Sequence, residues 1–584
     1  MRFSDQCISM LLLCFLTSIS AFGQDWLTPY EKSNGQSSAT YDEVIAFYEA
    51  LAAQYPEVRV QQIGRSDYGD PIYFVTISHG DPWEHSDNRL RFMINNGIHP
   101  GEPCGVDASM MMVRELVQNP ERSAILDRLT LGIIPLYNVG GARNRSCCTR
   151  ANQVGPDQQG FRGNARNLDL NRDFMKMDSR NTRAFSDVFH AFLPHFFVDT
   201  HTTNGADYQA PITYIATLAD KLEPSAGRYL REVFVPEMHE RADKIDLKLI
   251  PYVNAVGGAP EEGMAAFLDL PRYTSGYAAM FQTIGFISEA HMLKSFAQRV
   301  DATYEYLYLL LEQAHDDAPE LVAAVETARR SAASQSTMAV SWRLDTTFRD
   351  SVQYFGYESS YRPGAVTGVP RLFYDTSRPF TAEIPYFPHY DETTVLKVPQ
   401  AYIIPQAWTE IIDKLQINKV ELKELAQDTT LMVEGYYLQT ALPDRAPYEG
   451  HYYHSEVETV SADMEISFRQ GDVVVFTDQF RCPYIVHGLE PTASDSWFRW
   501  NFFDAILMQK EYFSPYLFEE VAAELLRTNP VLSREFADKK EREPDFAKNP
   551  YQQLFFIYSR SPYYEATHRR YPVARWNGGK LPVK

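Results

Sequence analysis

Residues 92–103 read Phe92-Met-Ile-Asn-Asn-Gly-Ile-His99-Pro-Gly-Glu102-Pro. An apolar, strand-like run ends here in a loop that holds a histidine and a glutamate three positions apart. Imidazole and carboxylate both bind Zn²⁺, and a common catalytic zinc site uses two histidines, one glutamate and one open position. A single His-x-x-Glu pair is also common on surfaces and in hydrogen-bonded cores. The segment therefore predicts a strand followed by two candidate metal ligands, His99 and Glu102.

A second histidine follows another apolar run about a hundred residues later. Residues 196–203 read Phe196-Phe-Val-Asp199-Thr-His201-Thr-Thr. In open α/β sheets, ligand sites gather outside the carboxyl ends of the strands. We therefore expect His201 to join the first pair as the third candidate ligand. Asp199 either orients a neighbouring ligand or caps a turn.

Short runs rich in β-branched and aromatic residues alternate with helical stretches in the first half of the chain. The predicted strands cover residues 72–77, 90–95, 131–136 and 196–199, and the predicted helices cover 106–116, 182–192 and 296–315. This alternation predicts an α/β fold with a mixed, mostly parallel twisted sheet flanked by helices. Residues 322–336, rich in Ala, Arg and Ser, are predicted to be a linker. The alternating, aromatic-rich texture beyond it predicts a β-rich region at residues 331–584, with room for more than one domain.

The chain has 584 residues, of which 45% are apolar and 22% charged, and its net charge is −21. This composition is typical of a globular protein and excludes a mainly disordered or multi-span membrane chain. The negative charge argues against a nucleic acid or an anionic membrane as the main partner.

The first residues predict an export signal. Residues 8–19 form an apolar run shorter than a membrane span, and Ala21-Phe22-Gly23 is typical of a cleavage site. We predict that residues 1–23 are a signal peptide and that the mature chain is secreted or periplasmic. No integral membrane segment is expected after signal removal.

Four cysteines remain after that removal: Cys104, Cys147, Cys148 and Cys482. They are too few for a disulfide scaffold, and no C-x-x-C pair suggests a thiolate zinc site. A bond between the adjacent Cys147 and Cys148 would be strained. In an oxidising compartment one of them could pair with Cys104 or Cys482, and the sequence does not determine which.

Two further segments carry groups that suit peptide chemistry. Residues 167–174 include Asn171 and Arg172, an amide and a guanidinium suited to binding a carboxylate bidentately. Residues 285–291 place Glu289 after an apolar run, where a carboxylate near a metal-activated water can act as general base.

In this order, the motifs resemble the zinc metallocarboxypeptidase superfamily, the carboxypeptidase A-like enzymes, in a secreted form of bacterial type. The resemblance covers roughly residues 41–315 and includes the upstream segment 63–72. It implies a catalytic domain at residues 24–330 with one Zn²⁺ per chain, held by His99, Glu102 and His201. It further implies that Glu289 activates water and that Asn171 with Arg172 grips the terminal carboxylate of a peptide substrate.

Two roles implied by the family are less fixed by the sequence. The oxyanion-stabilising arginine is Arg143, Arg145 or Arg150, of which Arg150 is favoured. Tyr273 is the candidate for the mobile substrate tyrosine, and Tyr277 is the alternative.

The sequence also departs from the digestive enzymes of the family. Gly101 stands where they have arginine, and Asn138-Val-Gly-Gly141 replaces their Asn-Pro-Asp-Gly. Three functions therefore remain open: an exopeptidase, a small-amide hydrolase or cell-wall peptide peptidase, and an inactive peptide- or glycan-binding protein. His451 and His454 have a metal-like spacing, but no acidic or cysteine partner is near in sequence, so a solvated loop is expected.

Overall fold

The computed structural model describes residues 26–85, 89–203 and 205–584. The predicted signal peptide, residues 1–23, lies outside the described residues. Among those described, no helix is long and apolar enough to cross a membrane.

Nine strands lie in the described part of the first half of the chain. They are β1 (Val58–Arg65), β2 (Pro71–Ile77), β3 (Leu90–Asn95), β4 (Leu129–Ile134), β5 (Phe196–Thr203), β6 (Ile212–Ala216), β7 (Leu249–Pro251), β8 (Met264–Ala265) and β9 (Ile284–His291). Eight of them form one sheet in the order β1-β2-β4-β3-β5-β9-β6-β7. The central strands β4, β3, β5 and β9 run parallel, while β1, β2 and β6 each make antiparallel pairs. The predicted mixed α/β sheet is confirmed.

Helices cover this sheet. They are α1 (Pro29–Lys32), α2 (Tyr41–Gln54), α3 (Cys104–Gln118), α4 (Pro120–Ser123), α5 (Val139–Arg143), α6 (Arg180–Phe192), α7 (Pro224–Arg228), α8 (Val235–Lys244), α9 (Thr274–Ala279), α10 (Phe296–Asp316) and α11 (Ala318–Ala332). Every residue of β3, β4 and β5 is buried. Buried parallel strands of this kind are continuous apolar runs because helices lie on both faces of the sheet.

Strand register sets the position of the candidate site. Asn95 at the end of β3 pairs with Asp199 in β5, and His201 in β5 pairs with Glu289 in β9. Because these strands are parallel, their carboxyl ends meet at one edge of the sheet. The loop after β3, which carries His99 and Glu102, begins at that same edge.

The second half of the chain is rich in strands, as predicted. They are β10 (Thr337–Leu344), β11 (Asp350–Pro363), β12 (Pro370–Phe387), β13 (Tyr390–Lys397), β14 (Ala401–Ile404), β15 (Lys423–Glu424), β16 (Thr429–Pro443), β17 (His454–Phe468), β18 (Val473–Phe476) and β19 (Ala574–Trp576). Its helices are α12 (Thr409–Ile417), α13 (Cys482–Leu489), α14 (Pro515–Thr528), α15 (Pro530–Arg542), α16 (Pro544–Ala547) and α17 (Pro550–Tyr558). Helices α14, α15 and α17 share a separate apolar cluster.

The two halves pack directly against each other. Strand β12 pairs with β8 of the first half, and β11 and β12 share an apolar cluster with residues beside β6 and β7. The Trp497 indole N–H also donates to the carbonyl of Met175 at 2.9 Å. The second half is therefore continuous with the domain that carries the candidate site.

The predicted linker at residues 322–336 is wrong. Most of it belongs to α11, whose buried side chains include Leu321, Val325, Ala328 and Ala332. Spacings of three or four residues place these small apolar side chains on one helical face, which packs against the core.

The predicted cysteine pairing is also wrong. Cys147 and Cys148 form a disulfide with each other, while Cys104 and Cys482 are free and buried. Both free thiols are buried in the main hydrophobic core, whereas Cys147 and Cys148 lie in an exposed turn.

Candidate metal centre and substrate cavity

His99, Glu102 and His201 meet at the sheet edge. Their side chains are only 3–4% exposed, and one candidate ligand atom from each lies within 4.8 Å of the others. The structure thus brings together the three residues that the sequence predicted as metal ligands. Two imidazoles and one carboxylate are a donor set that suits Zn²⁺.

Each histidine is oriented by a carboxylate on the far side of its ring. The Nε2–H of His99 donates to Asp169 at 2.9 Å, and that of His201 donates to Asp199 at 2.9 Å. Both Nδ1 atoms therefore face Glu102. His99 Nδ1 is buried and has no hydrogen-bond partner among the described residues. A buried acceptor without a partner, on a ring that a carboxylate orients, is typical of a metal ligand.

Glu102 is held at both oxygens. Arg150 donates to its Oε1 at 2.7 Å, and the backbone N–H of Thr202 donates to its Oε2 at 2.9 Å. Burial acts to raise the pKa of Glu102, but the interactions with Arg150 and with the two histidine rings outweigh it and hold the pKa well below its usual value. The carboxylate is therefore ionised, as a metal ligand must be.

Glu289 projects from β9 beside His201. Its side chain lines the same cavity as the three candidate ligands. Burial raises the pKa of Glu289 to about 7, with His201 opposing that rise and Glu102 adding to it. A carboxyl group whose pKa is near neutrality can both accept and return a proton at working pH.

The cavity has a volume of about 260 Å³ and a largely polar lining. Asn171 and Arg172 lie in its wall on a single 3₁₀ turn, and Asp169 accepts from the backbone N–H of Asn171. The Arg172 guanidinium stacks over the Tyr273 ring at 4.5 Å. The predicted carboxylate-binding pair and the predicted tyrosine therefore share one wall of the cavity.

Of the arginines near the candidate metal ligands, Arg162 lines the cavity, while the favoured Arg150 is not among its lining residues. Arg162 donates to Asp169 at 2.9 Å and reaches Glu102 at 3.5 Å. Arg150 lies behind Glu102 with Nε and both terminal nitrogens bonded to Gln153, Glu102 and the Thr202 carbonyl. Its hydrogen-bonding groups are therefore engaged within the protein. Nothing in the residue pattern separated Arg162 from neighbouring arginines.

Gly101 is explained by this packing. A Cβ at position 101 would lie 2.8 Å from Cδ of Arg150 and 3.1 Å from the Gly160 carbonyl oxygen. The space of a side chain at position 101 is thus taken by the stem of Arg150.

The remaining sequence candidates lie elsewhere. Tyr277 is fully buried and donates to Asn418, so it does not line the cavity. Arg143 pairs with Asp42 and Asp70 on the surface, and Arg145 donates to backbone carbonyls.

The expectation of a solvated loop around His451 and His454 is wrong. His451 pairs with Asp178 at 2.8 Å, and His454, only 1% exposed, pairs with Asp504 at 2.7 Å. Their acidic partners come from distant segments, which sequence proximity could not reveal.

Residues 44–193 match the profile of the zinc carboxypeptidase family, a stretch that includes His99, Glu102, Asn171 and Arg172. The chain thus contains a stretch of the zinc carboxypeptidase family, which supports the resemblance to the metallocarboxypeptidase superfamily. It is therefore a zinc metallopeptidase, a class of hydrolases. The family match ends before His201 and Glu289, which the strand register brings to the same site.

Curated proteins that are similar to this chain align over most of its length. Carboxypeptidase 2 of Trichophyton equinum is 23% identical over 506 residues, covering 82% of this chain and 86% of the relative. Carboxypeptidase 2 of Trichophyton rubrum is 23% identical, covering 80% and 84%. These relatives are fungal, so the match does not restrict the chain to a bacterial type.

Solved structures align with about half of the chain. A metallo-carboxypeptidase from Burkholderia cenocepacia is 17% identical with a TM-score of 0.37, covering 47% of this chain and 70% of the other. The carboxypeptidase A from Helicoverpa armigera is 17% identical with a TM-score of 0.36, covering 50% and 75%.

Proposed function

We propose that this protein is a secreted zinc carboxypeptidase that removes residues from the carboxyl ends of peptides. One observation carries the proposal: the His99, Glu102 and His201 cluster shares its cavity with Glu289 and with the carboxylate-binding pair Asn171 and Arg172. The ligands and the base suit amide hydrolysis in general. The amide and guanidinium in the same wall suit a substrate whose terminal carboxylate lies next to the scissile bond.

The cluster would hold one Zn²⁺. When bound, Zn²⁺ acts as a Lewis acid that polarises the scissile carbonyl and lowers the pKa of water to about 7. Glu289 would take the proton of the attacking water and return it to the leaving amine. Its raised pKa supports both transfers, because neither the protonated nor the ionised form is strongly disfavoured near neutral pH.

We assign the stabilisation of the developing oxyanion to Arg162 in place of Arg150. Arg162 lines the cavity, and its side chain is 46% exposed, whereas Arg150 is 15% exposed. Preorganised donors aimed at a developing charge are effective because they need no reorganisation during the reaction. Asp169 holds Arg162 in place while it orients His99.

The cavity also suggests which side chain is removed. Beside its polar residues, the wall contains Ile215, Tyr252, Phe267 and Ile287. Ile287 lies two residues before Glu289 on β9, so both side chains project to the same face of the sheet. These side chains offer an apolar surface and no carboxylate to a substrate residue. We propose that apolar carboxyl-terminal residues are preferred.

The small-amide alternative rested on Gly101. Since the stem of Arg150 explains why glycine stands there, that position no longer favours a different substrate class.

We further propose that residues 1–23 direct export and that the mature protein acts outside the cell. The apolar run at residues 8–19 and the small residues at 21–23 support this. Residues 24–330 would form the catalytic domain, with residues 331–584 as an accessory region. Amino-terminal sequencing of protein recovered from the culture medium should begin at Gln24.

The function is tested by digesting a defined peptide mixture and following it by mass spectrometry. We expect stepwise loss of single carboxyl-terminal residues, abolished by a chelator and restored by added Zn²⁺. Carboxyl-terminally amidated copies of the same peptides serve as the control and should remain intact. Internal cuts, or equal cleavage of free and amidated peptides, would contradict a carboxypeptidase.

A further inference from the structure

The loop between β16 and β17, residues 444–453, reaches from the second half of the chain to the candidate substrate site. Its tip is a tight turn closed by a bridge between Tyr448 and His451. Two neighbouring residues of that tip contact the segment that carries Asn171 and Arg172. We call residues 444–453, which belong to the second half of the chain, the 444–453 loop.

Tyr448 contacts the guanidinium directly. Nε of Arg172 donates to the Tyr448 hydroxyl oxygen at 2.9 Å, while its Nη1 donates to the Asn171 carbonyl at 2.8 Å. The Tyr273 ring packs against the same guanidinium at 4.5 Å. Two edges and one face of the planar group are therefore fixed. The 444–453 loop supplies the only one of these three contacts that comes from outside the catalytic half.

Glu449 supports the same turn from its amino-terminal end. Its Oε2 accepts from the backbone N–H of Asp169 at 2.7 Å. Asp169 in turn accepts from the backbone N–H of Asn171 and orients His99. The tip thus contacts both the carboxylate-binding turn and a residue that orients a candidate metal ligand.

The loop itself is anchored on both sides of the tip. His451 donates to Asp178 at 2.8 Å and contacts Asn501 at 2.6 Å. The Tyr448 ring stacks on Trp500 at 5.9 Å, within 15° of parallel. These buried or half-buried contacts hold the hydroxyl of Tyr448 at a defined position, so it can restrict the Arg172 side chain.

We propose that Tyr448 is a positioning residue for carboxylate recognition and acts through Arg172. The second half of the chain then completes the substrate site and is not an independent appendage. This inference rests on the proposed carboxypeptidase function. A guanidinium already oriented loses little side-chain freedom on binding a carboxylate, so removing the hydroxyl weakens substrate binding more than turnover.

The test uses the full-length protein and an N-acylated dipeptide that ends in phenylalanine. Tyr448→Phe keeps the ring on Trp500 and removes only the hydroxyl. We expect KM to rise about 10-fold with kcat changed less than about twofold, as for the loss of one hydrogen bond to a charged group. Tyr452→Phe, on the same loop with a side chain 49% exposed, is the matched control and should leave KM unchanged.

A double-mutant cycle separates positioning from a general structural effect. In an Arg172→Ala background, Tyr448→Phe should raise KM no further, because the residue through which it acts is gone. Equal increases in both backgrounds, or an unchanged KM in the single variant, would overturn the inference. If the wild-type protein shows no chelator-sensitive cleavage, the proposed function fails first and the inference fails with it.

Discussion

His201 and Glu289 occupy paired positions on the adjacent parallel strands β5 and β9. Side chains at paired positions of parallel strands project to the same face, so the register alone places a candidate metal ligand beside a candidate base. Asp199, two residues before His201, projects to that face as well and accepts from the His201 ring. Three groups with different roles are therefore fixed by one strand pair.

The two carboxylates behind the histidines should control metal affinity. We expect Asp169→Asn and Asp199→Asn each to weaken Zn²⁺ binding by about 10–100-fold, because each removes the charge that fixes a ring and raises its basicity. Competition with a chromogenic chelator measures this affinity directly. Asp157→Asn, at an exposed position, is the control. Wild-type affinity in both variants would show that the rings are not held for a metal.

Much of this site followed from the sequence because its residues come directly after apolar strands. His99, Glu102, His201 and Glu289 each follow or end such a strand, and parallel strands bring their carboxyl ends to one edge. These residues are therefore close in space because each lies at the carboxyl end of an apolar strand and the strands run parallel.

Other features could not be predicted because they depend on distant packing. Tyr448 lies 276 residues from Arg172 along the chain, and nothing local marks it. Arg162 and Arg150 are chemically equal in the sequence and differ only in what surrounds them. The buried face of helix α11 consists mainly of alanine and valine. Small residues of this kind are also common in linkers, so the composition of the segment did not predict a packed helix.

Arg162 and Arg150 should have separable effects. Arg162→Ala should lower kcat by about 10²-fold, as expected for the loss of an oxyanion donor, with Zn²⁺ still bound. Arg150→Ala should instead weaken Zn²⁺ binding, because it releases Glu102. Steady-state kinetics and metal analysis of both variants check this, with the nearby Arg166→Ala as control. A larger loss of kcat in Arg150→Ala at full Zn²⁺ occupancy would restore Arg150 as the oxyanion residue.

The apolar wall predicts specificity. We expect kcat/KM to be at least about 10-fold higher for peptides ending in phenylalanine or leucine than for the same peptides ending in lysine or aspartate. An unpaired charge placed against Ile215 and Ile287 would lose its hydration without compensation. Initial rates on four peptides that differ only in the last residue provide the measurement. A preference for lysine would show that an acidic group of the protein reaches the substrate side chain.

A buried acid outside the site should make stability depend on pH. Burial raises the pKa of Asp107 to about 7, although it accepts from Ser38 and from the backbone of Ala39. The folded state binds this proton more tightly than the unfolded chain, so stability is greatest below the unfolded pKa and declines as pH rises to about 7. Between pH 5 and pH 8, the melting temperature of Asp107→Asn should therefore fall less than that of the wild type. If the melting temperatures of the two proteins changed equally with pH, Asp107 would not be the group responsible.

The proposed reaction is peptide hydrolysis in this cavity, with a bound zinc ion and with Glu289 as the base. The most direct measurement compares Glu289→Gln with the wild type for bound Zn²⁺ and for removal of a carboxyl-terminal phenylalanine. We expect one Zn²⁺ per chain in both proteins and a kcat about 10²–10⁴-fold lower in the variant, the range for loss of a general base. A variant with bound Zn²⁺ and near wild-type turnover would show that Glu289 is not the general base.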